Sequence, residues 1–140
     1  SVEVQSIAGY HGLKQDPTMQ KLFVGNAELI LGRDSISVVG STQTHGGSTD
    51  MGDLSMIMPV IHPYANSASG VGHGHDYLID DYDLAVVAPA KVMAATILDL
   101  LANDAQAAKQ ALAKNRPTMT AEQYVSVQRG RFKTDLFEPF

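Results

Sequence analysis

Residues 46–53 are Gly46-Gly47-Ser48-Thr49-Asp50-Met51-Gly52-Asp53, and residues 72–77 are Gly72-His73-Gly74-His75-Asp76-Tyr77. Between them lie Met58-Pro59 and Ile61-His62-Pro63-Tyr64. This glycine-rich stretch also carries histidines and several carboxylates, whereas the regions on both sides are apolar and helix-like. The contrast predicts that the chain concentrates its chemistry here, between two helical flanks.

The flank before this stretch has the signs of an amphipathic helix. Asp16-Pro17 is typical of a helix cap followed by proline at the first helical position, and Gly32 is typical of a helix end. Apolar residues recur between them at steps of three and four: Met19, Leu22, Phe23, Ala27, Ile30 and Leu31. The pattern predicts one helix from about residue 17 to 31.

The flank after this stretch predicts three more helices. Apolar residues line one face from Asp83 to about Ala102, and Pro89 implies that the regular helix begins or kinks near Ala88. An alanine-rich helix is expected over 105–114. Thr120-Ala121-Glu122-Gln123 matches a capping box that opens a last helix, which Gly130 closes.

Strands are expected in the first half of the chain. Residues 1–7 alternate apolar and polar side chains, as a half-buried strand does. Residues 36–39 and 54–62 have enough β-branched and apolar side chains to be two further strands. With 140 residues, the chain is long enough for one domain, because a domain core takes roughly 100 to 150 residues. The predicted fold class is therefore α/β with a helix-rich second half.

Composition excludes several classes of function. Ten basic and fifteen acidic residues give a net charge of −5, and no basic stripe is present, so nucleic acid is not expected as a partner. The absence of cysteine removes disulfides and thiol chemistry. No uninterrupted apolar run approaches the roughly 18 residues of a membrane span. These features predict a soluble, cytoplasmic protein with no membrane partner.

The residues alone leave the chemistry of the stretch open. Consecutive amides of residues 46–49 can cradle an anion or form an ordinary tight turn, and no Gly-Lys-Ser/Thr ending of a nucleotide loop follows them. Asp50 and Asp53 can act as ligands or acid-base groups, or simply form turns. His62 can be structural or catalytic.

The histidine pair also admits two interpretations. His73 and His75 are two residues apart, which on an extended segment points them the same way, and Asp76 can orient an imidazole. The pair is either a metal site or part of a solvated loop.

The order of these motifs resembles the C-terminal part of the di-metal aminoacylase and carboxypeptidase family. The matching features are Gly-Gly-x-x-Asp at 46–50, Met58-Pro59, a glycine-containing loop, His73-x-x-Asp76-Tyr77 and a long helix. Gly47 to Asp53 and Ile61 to Tyr64 are most similar to the branch of aminobenzoyl-glutamate hydrolase. The resemblance covers roughly residues 1 to 115.

The resemblance implies a fold and a site. Residues 1–12 would be the last strand of a lid and dimerisation domain with its hinge, and residues 13–140 the C-terminal portion of a mixed-sheet, zinc-peptidase-like catalytic domain. His73 would be the last protein ligand of a zinc or manganese centre, with Asp76 and His75 beside it. The carboxylate of an N-acyl amino acid substrate would lie against Gly47, Ser48, Thr49 and Asp50. A homo-oligomer is implied.

The chain departs from that family where most of the metal ligands should be. No histidine is followed at the second position by aspartate, and no two glutamates are adjacent. A catalytic zinc needs three protein ligands, so His73 alone cannot hold one. We therefore expect a fragment of a metal-dependent amidohydrolase, incomplete and inactive alone.

Two alternatives remain open at the level of the sequence. One is a non-catalytic binding or assembly module that keeps part of the fold. The other is a small stand-alone hydrolase with a mononuclear site built from His73, His75, and Asp50 or Asp53.

Overall fold

The computed structural model describes residues 1–39 and 49–138. The described part of the chain is mixed α/β and contains two small antiparallel sheets, which confirms the α/β class at that level. In chain order the elements are β1 Val2–Ser6, α1 Pro17–Leu31, α2 Met51–Ile57, β2 Ala68–Ser69, β3 Leu78–Ile79, α3 Ala88–Lys114, α4 Ala121–Gly130 and β4 Lys133–Phe137.

Helix α1 begins and ends where its capping residues predict. The Asp16 carboxylate accepts a hydrogen bond from the Met19 N–H at 2.8 Å, which satisfies an amide that the helix leaves unpaired. Gly32 follows the helix with a φ of 82° and donates its N–H to the Glu28 carbonyl at 3.0 Å. Only glycine adopts this backbone conformation without strain, which is why the helix ends there.

Helix α3 is interrupted, as the two predicted helical segments require. It begins at Ala88, next to Pro89, after a π-helical turn at Asp83–Val87. Its backbone leaves the helical conformation at Ala102 and is left-handed from 103 to 105, with φ between 50° and 57°. The predicted break between the helix ending near Ala102 and the alanine-rich segment is therefore confirmed.

The core lies between α1 and α3 and is small. The largest fully buried side chain of the described residues is Val92, which is 1 % exposed. Its apolar companions are Ala27, Val60, Ala88 and Ala111. Thr96, one turn after Val92, is buried too, but its hydroxyl donates to the Val92 carbonyl at 2.8 Å. Small side chains bury little apolar area, so this core provides a limited hydrophobic driving force.

The predicted capping box of α4 is confirmed. The Gln123 N–H donates to the Thr120 hydroxyl at 3.2 Å, and the Gln123 side chain accepts from the Thr120 N–H at 2.8 Å. Glu122 lies in the same first turn. Hydrogen bonds from its own backbone N–H and then from the Thr120 side chain hold the pKa of the Glu122 carboxyl below its ordinary value.

This depressed pKa makes a prediction about pH. The ionised Glu122 stabilises α4 above its ordinary pKa of 4.5, and that contribution should be lost as pH falls through the lower folded-state value. We expect an NMR titration of the Glu122 carboxyl carbon to give a midpoint below 4.5. Glu122→Gln should flatten the acid limb of the stability profile, and a midpoint at or above 4.5 would contradict the assignment.

The sheets differ from the predictions in two respects. The predicted strand at residues 1–7 forms as β1, and it pairs antiparallel with β4, a strand that the sequence did not indicate. The strand predicted over 54–62 is wrong in its first part, because residues 51–57 form the helix α2. Residues 36–39 lie in no strand of the described chain, although Ile36 is extended.

One outward face of α3 is apolar and uncovered in the described structure. Val92 and Thr96 face α1, whereas Met93, Ile97 and Leu101 are each more than half exposed. By length and composition, the helical stretch Asp83–Lys114 could cross a membrane, and 11 % of its most apolar window is buried. Lys91 and Asp99 interrupt its apolar residues, so the helix reaches this hydropathy only as an average over the window, and the absence of a membrane partner stays a prediction.

Candidate functional site

Thr49 and Asp50 lie at the beginning of α2, and both are tied to its first turn. The carbonyls of Thr49 and Asp50 accept the N–H groups of Gly52 and Asp53, each at 3.0 Å. The Thr49 hydroxyl lies 3.3 Å from the Asp50 carboxylate, to which it donates. The predicted substrate residues Gly47 and Ser48 lie outside the described residues. The described part of the predicted substrate segment is thus continuous with α2.

Asp53 is a bridging residue rather than a free acid-base group. Its Oδ1 accepts the His11 N–H at 2.8 Å, forty-two positions away in the sequence, and the Gln128 Nε2 at 3.4 Å, from α4. Gln128 Nε2 also lies 3.1 Å from the Tyr124 hydroxyl. One partly buried carboxylate therefore connects the segment after β1, helix α2 and helix α4.

The segment from His11 to Asp16 follows α2 and the chain after it closely. The Lys14 N–H donates to the Ser55 hydroxyl at 3.1 Å, and the Asp16 N–H donates to the Val60 carbonyl at 2.8 Å. Gly52 is buried against this segment, and a Cβ at that position would collide with the His11 backbone carbonyl. Glycine is required at position 52 because backbone meets backbone there.

His73 lies in the loop that joins β2 to β3, ahead of α3. Its backbone is left-handed, with a φ of 64°, and its side chain is exposed. The Gly74 N–H donates to the Val71 carbonyl at 2.7 Å, and Asp76 Oδ1 accepts the Val71 N–H at 3.4 Å. The loop consists of turns, so the expectation that His73 and His75 point the same way from an extended segment does not hold.

In the described chain, neither Asp76 nor His75 forms a hydrogen bond with His73, the predicted ligand. Within the described chain, the Asp76 carboxylate bonds to the Val71 backbone and to neither imidazole. Its carbonyl passes so close to Gly70 that a Cβ there would collide with it, and Gly70 has a φ of 84°. Asp76 therefore shapes the loop that carries His73.

His62 lines a cleft of about 240 Å³ beside α1. Its N–H donates to the Gln15 side chain at 3.1 Å, and its ring meets the Tyr64 ring edge-on with centroids 4.9 Å apart. Its Nδ1 is buried, and no described residue lies within hydrogen-bonding distance of it. The backbone contact and the packed ring favour the structural interpretation of His62.

The described residues do not fit a complete metal site. Across residues 1–39 and 49–138, no group of three or more histidine, aspartate or glutamate side chains converges to hold a metal ion. The stand-alone site from His73, His75 and Asp50 or Asp53 is therefore not assembled in this fold. Asp53 is instead engaged with His11 and Gln128. Any metal bound through His73 needs ligands from elsewhere.

Sequence reasoning missed the residues that meet at Asp53. The rings of His11 and Tyr124 lie with centroids 6.1 Å apart, and His11 Nε2 is buried without a hydrogen-bond partner among the described residues. No local pattern marks His11, Tyr124 or Gln128, because their meeting depends on contacts far apart in the sequence. The only sequence indication was Asp53 itself.

Searches for relatives give no match for this chain among family models, curated proteins or solved structures.

Proposed function

We propose that this chain is the C-terminal portion of a metal-dependent amidohydrolase that cleaves the amide bond of N-acyl or aminobenzoyl amino acids. His73 contributes one ligand to a zinc or manganese centre, and the remaining ligands and the general base come from polypeptide outside these 140 residues. The observation that carries the proposal is the backbone of His73, which is left-handed at φ 64° on an exposed loop.

A left-handed backbone has a conformational cost in a residue that carries a side chain. The conformation costs an L-residue roughly 1 kcal/mol or more; glycine avoids that cost, and asparagine, aspartate and histidine adopt the conformation more often than other residues do. His73 is exposed, so its imidazole gains no packing that would offset the strain. Strained residues of this kind cluster at functional sites, which supports a role for the imidazole itself.

The apolar surface of α3 supports the expectation that the chain is one part of a larger catalytic domain. A broad apolar face of a helix is normally covered by neighbouring elements in a stable α/β domain. Here α1 covers only the side of α3 that carries Val92 and Thr96. Residues 36–39, which begin with the extended Ile36, also lie in no strand of the described chain, as expected for a sheet that other strands complete.

The substrate side of the proposal rests on the segment that leads into α2. Gly47, Ser48, Thr49 and Asp50 would face the carboxylate of the N-acyl amino acid, and the Thr49 hydroxyl is held at the start of α2. Residues 1–12 would belong to the lid and its hinge, through which a homo-oligomer forms. The proposed enzyme is cytoplasmic and acts on a small molecule.

The experiment replaces His73 in the polypeptide or complex in which this chain naturally occurs. Asn is the informative substitution, because it tolerates the left-handed backbone and cannot replace the imidazole as a ligand here. We expect His73→Asn to lose one metal equivalent and to lower turnover by about a hundredfold or more, with unchanged or higher thermal stability. Metal content is measured by elemental analysis and turnover with N-acyl amino acids.

His75→Asn is the matched control, since His75 is also exposed on the same loop and is not the proposed ligand. It should keep its metal and most of its turnover. Unchanged metal content and rate in His73→Asn, together with normal folding, would refute the assignment.

A second candidate function, a non-catalytic assembly module, is favoured by the same uncovered face of α3. The two candidate functions predict different properties of the natural complex. A partner that buries α3 without supplying metal ligands, and a complex that binds no metal and hydrolyses no N-acyl amino acid, would favour this candidate.

A further inference from the structure

We infer that Asp53 is a positioning residue that fixes Thr49 and Asp50 relative to the segment after β1. The inference rests on the proposed function, in which Thr49 and Asp50 face the substrate and the segment after β1 is the hinge. Asp53 touches neither substrate nor metal in this scheme. It acts through helix α2, which it anchors at one end.

The contacts of Asp53 span the chain. Its Oδ1 receives the His11 N–H at 2.8 Å and the Gln128 Nε2 at 3.4 Å. Gln128 Nε2 is also 3.4 Å from the Gly9 carbonyl, and Arg131 reaches that same carbonyl at 3.5 Å. Hydrogen bonds to an ionised carboxylate are the stronger kind, and this one is partly shielded from water. The segment at 9–11 is therefore held from two sides.

Helix α2 depends on such contacts because it is short. Its seven residues, Met51–Ile57, make about two turns, and an isolated helix of that length does not persist in water. Asp53 lies in its first turn, where a negative charge interacts favourably with the unpaired N–H groups of the helix. Removing the carboxylate loosens both the helix start and its attachment to His11.

Removal of the Asp53 carboxylate affects Thr49 through two hydrogen bonds. The Asp53 N–H donates to the Asp50 carbonyl, and the Gly52 N–H donates to the Thr49 carbonyl, each at 3.0 Å. A displacement of the segment at His11 is thus transmitted through Asp53 to the first turn and so to Thr49. Movement of the proposed hinge and the geometry of the proposed substrate segment are coupled at this one side chain.

The test compares three variants of the natural protein. Asp53→Ala removes the acceptor, Asp53→Asn keeps an acceptor oxygen without the charge, and Asp81→Ala is a matched loss of a carboxylate that accepts the Leu84 N–H at 2.9 Å, away from α2. Amide hydrogen exchange at His11 and Gly52 reports the attachment directly. Steady-state hydrolysis of N-acyl amino acids reports how this attachment affects substrate binding.

We expect Asp53→Ala to speed exchange at both amides and to raise KM about tenfold, as the loss of one charge-assisted hydrogen bond would, while kcat changes much less. Asp53→Asn should restore much of the slow exchange and much of the wild-type KM, and Asp81→Ala should change neither quantity. Unchanged exchange at His11 or Gly52, or a KM shift as large in Asp81→Ala, would overturn the inference.

The two proposals fail in distinguishable ways. If the wild-type protein hydrolyses no N-acyl amino acid, the proposed function fails, whereas the exchange measurements still decide whether Asp53 couples His11 to the start of α2. If hydrolysis occurs and Asp53→Ala lowers kcat without changing KM, the proposed function stands and the positioning role is rejected.

Discussion

Replacing Val92 by Asp is expected to unfold the isolated chain. Val92 is the largest fully buried side chain described, 1 % exposed, and it lies at the contact of α3 with α1. A carboxylate there would be buried without a partner, which destabilises a folded state by roughly 4 kcal/mol or more. Single domains are commonly stable by only about 5–15 kcal/mol, and we expect a core of small side chains to place this chain near the lower limit.

A graded series separates charge from packing. Val92→Ala removes two methyl groups and should cost about 2 kcal/mol, whereas Val92→Asp should leave no cooperative unfolding transition in urea followed by circular dichroism. Ile97→Asp, on the same helix but 55 % exposed, is the control and should change the free energy of unfolding by no more than about 0.5 kcal/mol.

The outcome also tests which face of α3 is internal. A folded Val92→Asp variant, or an Ile97→Asp variant as damaging as Val92→Asp, would show that the helix packs with a different face inward in solution. In the natural complex the comparison should change, because the proposed function places other polypeptide against Ile97.

Helix boundaries could be predicted from the sequence because their causes are local. Asp16-Pro17 and the Thr120 capping box satisfy amides within a few residues of themselves, and Pro89 acts on its own turn. Each requires no knowledge of the tertiary structure. The same holds for the break after Ala102, where the apolar pattern stops.

The strands and α2 could not be predicted in the same way. β1 has a partner, β4, more than one hundred residues later, and nothing within β4 specifies that pairing. Residues 54–62 have the apolar content of a strand, but the first part, up to Ile57, is a helix packed on His11 to Asp16. Tertiary contacts override the local preference there.

The sequence singled out individual residues of the candidate site but not the contacts between them. From the sequence, Asp53 and His73 could each act as a metal ligand or an acid-base group, but no pattern decided which role either residue has. Backbone conformation distinguishes His73, and hydrogen bonds to His11 and Gln128 distinguish Asp53. Both distinctions depend on geometry that a list of residue types does not contain.

Gly52→Ala is expected to destabilise the chain, although the same change at Gly25 should stabilise it. Both glycines lie within helices, where alanine is normally better by about 1 kcal/mol. A Cβ at Gly25 meets nothing within 4 Å, whereas a Cβ at Gly52 collides with the His11 backbone carbonyl. The carbonyl cannot rotate away as a flexible side chain would, so α2 or the segment at His11 must shift.

That shift separates the donors and acceptors that join the two segments. The hydrogen bonds from His11 to Asp53 and from Lys14 to Ser55 lengthen together, and we expect a loss of about 1–3 kcal/mol in urea unfolding, against a gain of about 0.5–1 kcal/mol for Gly25→Ala. The opposite signs are the decisive result, because helix propensity alone gives both variants the same sign. If Gly52→Ala were as stabilising as Gly25→Ala, the His11 segment would not lie against α2, and the attachment through Asp53 would lose its structural basis.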